Sequence, residues 1–226
     1  MKDWTGNKAS VHTMLGNDYK TKTETADREV HDFYATEPRA VRLLMETLLL
    51  PKDGTFIWEC ACGEGHLGEE LKDMGYQVYC SDLVQRQYNS HYESDKIDFL
   101  QTTRETMPLR LLCTHYPCII TNPPYKYTTE FILHALELLP QGGICAMLLN
   151  INYLSGIGRF NAIYKDMPPK AVYVFTGRVS CAKNGDFEHS SGSAVNYGWF
   201  VWEKGSKAVP QIKWIETSAE EKRTTK

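Results

Sequence analysis

The chain has no apolar run approaching the ~20 residues needed to cross a bilayer; its longest candidate, 142–158, is interrupted by Asn150 and Asn152. The opening Met1-Lys2-Asp3-Trp4 lacks the charged-then-apolar pattern of a signal peptide. Export and membrane anchoring are therefore not expected, and the expected location is cytoplasmic. Positive charge is not in excess: 25 Lys and Arg face 28 Asp and Glu, net -3, which argues against a protein that coats nucleic acid by bulk charge. Cysteine is present without order. The seven residues are odd in number, and Cys60-x-Cys62 has no second pair or His at zinc spacing. No metal site is expected; Cys60, Cys80, Cys118 and Cys145 lie in or beside apolar runs and read as reduced, buried thiols. The dinucleotide fingerprint G-x-G-x-x-G is missing too, as are internal repeats and low-complexity tracts.

What is present is a globular composition, 42% hydrophobic and 23% charged, at a length that suits one domain of roughly 150–250 residues. Residues 1–30 are polar, without an apolar period, and read as a flexible arm or one that wraps another element. A single domain is expected over 31–205, with a small target-facing insertion around 151–196, and a charged tail over 206–226. From Pro38 to Leu48 the apolar spacing predicts an amphipathic helix that stops at Pro51, followed by an Asp53-Gly54 turn. Strands are predicted over 55–60, 76–81, 117–122, 143–150, 171–176 and 195–202, and helices over 66–74 and 128–139. Short apolar strands joined by helices predict a doubly wound, mostly parallel α/β sheet with helices on both faces. In such a sheet ligands bind beyond the carboxyl ends of the strands, near the switch in strand order.

The first strand is followed by Glu59-Cys60-Ala61-Cys62-Gly63-Glu64-Gly65-His66. Gly63 and Gly65, between strand and helix, permit a tight turn and close approach of a ligand to backbone. Glu59 suits a ligand bearing an ammonium group. Asp82 ends the second strand, near the ~20-residue spacing expected of an acid that accepts ribose hydroxyls. Asp98-Phe99 follows a third short segment, Lys96-Ile97, and offers an acceptor and an aromatic face for an adenine ring. Singly, each is equally a turn or a helix cap. In this order on successive strands they point to a nucleoside-bearing cofactor that needs no pyrophosphate.

The fourth strand ends in Asn122-Pro123-Pro124-Tyr125. Two prolines remove two N–H donors and leave carbonyl oxygens as the local polar groups. The Asn122 side-chain oxygen and the Pro123 carbonyl can both accept from one –NH₂ group, which turns its nitrogen lone pair out of the conjugated plane. Tyr125 supplies a ring on which a planar base can stack, worth ~1–3 kcal/mol. A proline-rich turn closing a strand is the plain alternative, but it does not account for Asn and Tyr bracketing the prolines at this edge.

On these residues the chain resembles the N6-adenine DNA methyltransferases that use S-adenosylmethionine. Asn122-Pro123-Pro124-Tyr125 looks like their catalytic motif, and the segment from Glu59 through Ala61 and Gly63 to Gly65, with Asp82 and Asp98-Phe99, resembles their cofactor elements. Upstream, His31-Asp32-Phe33-Tyr34-Ala35-Thr36-Glu37-Pro38 resembles the family's aromatic-x-Thr-Pro segment at the cofactor's methionine end, with Glu37 intervening before the proline. The resemblance implies that Phe33, Tyr34 and Thr36 join the cofactor set, and that Asn122 touches cofactor as well as target. The order of motifs is similar to the gamma-type arrangement of phage and prophage proteins and of restriction-modification systems. Gly198-Trp199-Phe200-Val201-Trp202 looks like the family's closing strand.

The catalytic motif is shared with enzymes acting on RNA adenine and on protein glutamine. Glutamine methyltransferases usually carry an Asp and three glycines in the first motif; here Glu59 and Ala61 depart from that, and adenine in nucleic acid is favoured. A non-catalytic cofactor-binding module is the third reading, opposed by the intact catalytic motif. Residues 30–150 carry net -7 and residues 151–202 net +2, so a DNA polyanion is expected along the second segment. Arg178, Lys183 and His189, among Gly, Ser and Asn, are the candidate DNA contacts, with a solvated surface loop as the plain alternative. Sequence specificity is expected to be short, weak, or supplied by a partner, and a homodimer is the other association expected.

Overall fold

The computed structural model describes residues 35–85, 94–179, 181–182 and 195–217. The chain divides into Met1–Asp32 and Phe33–Lys226, and every described residue belongs to the second unit. Its centre is β2 (Thr55–Glu59), buried at all positions, as an interior strand must be when helices cover both faces. Around it lie β3 (Gln77–Asp82), β4 (Asp95–Lys96), β5 (Tyr116–Thr121), β6 (Ile144–Asn150), β7 (Ala171–Phe175), β9 (Tyr197–Glu203) and β10 (Gln211–Ile215). Their spatial order is β10-β7-β9-β6-β5-β2-β3-β4. All neighbours are parallel except β9, which runs antiparallel to both β6 and β7. A separate two-stranded ribbon joins β1 (Ala35–Thr36) to β8 (Cys181–Ala182).

The alternation of side chains along each strand sorts the core into two layers. Ile57, Cys118, Ile120, Leu148 and Trp199 pack with Val41 and Leu44 of α1 (Pro38–Leu48) and Leu71 of α2 (His66–Asp73). Phe56, Trp58, Ile119, Met147 and Phe200 pack with Phe131, Ile132 and Leu136 of α4 (Thr128–Leu138), which follows the short α3 (Arg110–Cys113). Trp199 Nε1–H donates to the Ala40 carbonyl at 2.8 Å, tying β9 to α1. Cys60, Cys62, Cys80, Cys118 and Cys145 are buried free thiols, and burial pushes Cys118 up to about 12.

The chain leaves β2 for β3 and β4 on one side, then returns to β5 on the other. The strand order reverses there, and the carboxyl ends of β2 and β5 flank the crevice. Two features differ from the sequence expectation. The stretch read as a charged tail contributes β10, paired in register with β7 from Gln211↔Ala171 to Ile215↔Phe175. It is an edge strand with only Ile215 buried, so it lacks the apolar run that marks an interior strand. The third short strand is Asp95–Lys96, one residue before the expected Lys96-Ile97. Among the described residues, no helix is long and apolar enough to cross a membrane.

Candidate functional site

The turn after β2 is built by two glycines in the left-handed region, Gly63 (φ 56°) and Gly65 (φ 87°), a backbone that a side chain would strain. Cys62 N–H donates to the Ser81 carbonyl at 3.0 Å and Gly65 N–H to the Cys62 carbonyl at 2.8 Å, and Gly65 caps α2. Asp82, at the end of β3, holds this turn from the side. Its Oδ2 accepts from Gly63 N–H (2.8 Å) and its Oδ1 from Val84 N–H (2.9 Å). The carboxylate thus belongs to the architecture of the turn.

Glu59 ends β2 only 2% exposed, and among the described residues its Oε2 has no hydrogen-bond partner. Burial raises its carboxyl well above the usual range, and the charge of Asp82 raises it further. Lys72 and a hydrogen bond from the Gly68 backbone oppose this more weakly, and Glu69 adds to the rise. Asp98 is exposed beyond β4, its Oδ1 accepting from Leu100 N–H at 3.1 Å.

Phe99 corrects the sequence reading. Its ring is 2% exposed and packs against Trp58, Phe131 and His134, at centroid distances of 5.2, 4.8 and 5.0 Å. Asp98 faces solvent and its neighbour faces the core, so Phe99 supports the strand end and offers no ring face to a ligand. Ala61 is half-buried against the same core layer.

The Asn122-Pro123-Pro124-Tyr125 segment leaves β5 at the same edge. Asn122 Nδ2 donates to Thr36 Oγ1 at 3.0 Å across 86 positions of sequence. Thr36 is 4% exposed and stands in β1, opposite Cys181 of β8. Pro123 is buried, and Pro124 leads into a 3₁₀ turn, Tyr125–Tyr127, that runs into α4. Tyr125 is joined to Tyr197, the first residue of β9: their hydroxyls lie 2.8 Å apart and their rings are near parallel, 6.4 Å between centroids at 22°. Tyr197 went unmarked in the sequence; its only signal was an aromatic opening the closing strand.

The structure therefore brings Thr36, Glu59, Gly63, Gly65, Asp82, Asp98, Asn122 and Tyr125 to the carboxyl edge of the strands. Arg178 is exposed beyond β7, its carbonyl accepting from Arg39 Nη2 at 3.3 Å. Phe33, Tyr34, Lys183 and His189 lie outside the described residues.

No protein-family model and no curated protein matches the chain. Solved structures do. A Listeria monocytogenes protein assigned as a class I S-adenosylmethionine-dependent methyltransferase aligns with TM-score 0.52 at 13% identity, over 79% of this chain and 63% of that one. The M protein of the type I restriction enzyme EcoKI aligns at 0.53 and 14% identity, over 79% of this chain and 45% of that one. A type I modification subunit from Vibrio vulnificus aligns at 0.52 and 14%, over 91% and 50%. The fold is that of the class I methyltransferases. The chain spans less than two thirds of each of these three proteins. Within the methyltransferase fold, the acids of β2, β3 and the segment after β4 line one side of the switch point, and the Asn122 segment lines the other.

Proposed function

We propose that the chain transfers a methyl group from S-adenosylmethionine to the N6 amino group of adenine in DNA, with the target base extruded from the duplex. The observation that carries this reading is the placement of Asn122, Pro123, Pro124 and Tyr125 at the end of β5, directly across the switch point from the acidic strand ends. The residues present fit the cofactor: a buried Glu59 oxygen without a partner suits an ammonium group, and two left-handed glycines let backbone approach closely. A carboxylate has about four acceptor positions, so Asp82 can hold the Gly63 turn and also accept ribose hydroxyls. Asp98 at its exposed position suits an adenine amino group. When bound, the cofactor supplies an electrophilic methyl group on a sulfonium.

The chain's own task is alignment. Asn122 Oδ1 and the Pro123 carbonyl accept from the target amine, turning its lone pair out of the ring plane. Tyr125, braced by Tyr197, gives the extruded base a fixed ring to stack on. The amine proton leaves to solvent. A DNA acceptor is further supported by the likeness to two modification subunits of restriction enzymes, and Arg178, Lys183 and His189 would face that DNA.

The test supplies methyl-labelled S-adenosylmethionine with adenine-containing DNA, RNA or a glutamine peptide, then maps modified bases in DNA from a methylation-free host expressing the chain. Label in DNA adenine is expected. Label confined to RNA or peptide overturns the acceptor assigned here.

A further inference from the structure

We infer that Thr36 is a positioning residue for Asn122: its hydroxyl is the acceptor that anchors the amide nitrogen, so that the amide oxygen is presented to the target amine. The inference rests on the proposed function and assigns Thr36 a role distinct from cofactor contact.

An Asn amide is nearly symmetric in shape but opposite in hydrogen-bonding sense at its two ends. Presented to an –NH₂ group, the Oδ1 end accepts and the Nδ2 end opposes donor with donor. The productive orientation therefore requires an acceptor for Nδ2 on the far side. The prolines that follow supply no side-chain acceptor, and Asn122 Oδ1 is buried, so which end of the amide takes that place depends on what holds Nδ2. Thr36 Oγ1 stands 3.0 Å from Nδ2 and is itself buried. It is held there by the β1–β8 ribbon, in the register Ala35↔Ala182 and Thr36↔Cys181. The same ribbon follows Val179 and Arg178 beyond β7, so the segment expected to face DNA also fixes the residue that orients the amide.

The test is Thr36→Val, which keeps the shape and removes the acceptor, beside Thr36→Ser, which restores it. Expected is a fall in kcat of about tenfold for Thr36→Val, the range of one neutral hydrogen bond. Affinity for S-adenosylhomocysteine should stay within twofold by calorimetry, and Thr36→Ser should recover kcat to within threefold. In the folded wild type, one Asn122 side-chain amide proton should be protected from exchange by NMR, and that protection should fall in Thr36→Val. Thr36→Ala reads the same loss should the Val variant not fold. Weakened S-adenosylhomocysteine binding with unchanged kcat would return Thr36 to the cofactor set and overturn the inference, as would failure of Ser to rescue. Wild-type turnover unaffected by Thr36→Val overturns this role alone. A wild-type chain that methylates no acceptor overturns the proposed function and this role with it.

Discussion

Replacing Asp82 by Ala deletes a carboxylate that is 9% exposed and whose two oxygens accept from Gly63 and Val84 N–H groups at 2.8 and 2.9 Å. Hydrogen bonds to charged groups contribute about 1.5–3 kcal/mol each, so the pair is worth about 3–6 kcal/mol before relaxation. The Val84 bond is part-buried, where water can replace the carboxylate and take up part of this, so a loss of about 3 kcal/mol is expected. For a domain of this size that lowers Tm by about 6–12 °C. Asp82→Asn keeps one carbonyl oxygen and loses the charge, and should give roughly half the shift. The second consequence is on binding. If the same carboxylate accepts from the cofactor's ribose, S-adenosylhomocysteine affinity falls by about 10-fold to 150-fold, the equivalent of one such bond. Thermal denaturation followed by circular dichroism reads the first effect, and titration calorimetry on the folded variant reads the second. A Tm equal to wild type would refute the hydrogen-bond accounting. Wild-type affinity in a folded Asp82→Ala would remove Asp82 from the cofactor site.

Three further outcomes are expected. Asn122→Ala should reduce methyl transfer by about 10²–10³-fold, as loss of one stabilising contact to a reacting group does, while S-adenosylhomocysteine affinity stays nearly unchanged; normal turnover would mean that the catalytic motif lies elsewhere. Burial and Asp82 raise the folded-state Glu59 carboxyl above its unfolded value, so the folded chain holds a proton that the unfolded chain releases. Stability should therefore fall as pH climbs from about 4.3, the unfolded value, through the folded one; Glu59→Gln should gain on wild type over that span, and parallel denaturation curves from pH 4 to 8 would refute it. Arg178→Ala with Lys183→Ala should weaken DNA binding at every sequence and reduce the salt slope by about two units, with cofactor affinity unchanged; wild-type binding at all salt concentrations would place the DNA path elsewhere.

The sequence alone carried the central architecture. Interior parallel strands are short, continuous apolar runs because both faces are buried, and the runs at 55–60, 117–122 and 143–150 became Thr55–Glu59, Tyr116–Thr121 and Ile144–Asn150. The residues that follow those strands were legible as a candidate site for the same reason: strand direction dictates which loops share an edge. Tertiary structure decided the rest. Phe99 adjoins Asp98 in sequence yet points into the core, a choice made by which layer has room for a ring. The edge strand Gln211–Ile215 has little buried surface and exists only because β7 offers a free edge to pair with. Tyr125 with Tyr197, and Asn122 with Thr36, are joined across 72 and 86 positions by contacts that no local pattern encodes. Such pairings depend on how the chain closes on itself, and only the folded backbone brings them within reach of a hydrogen bond.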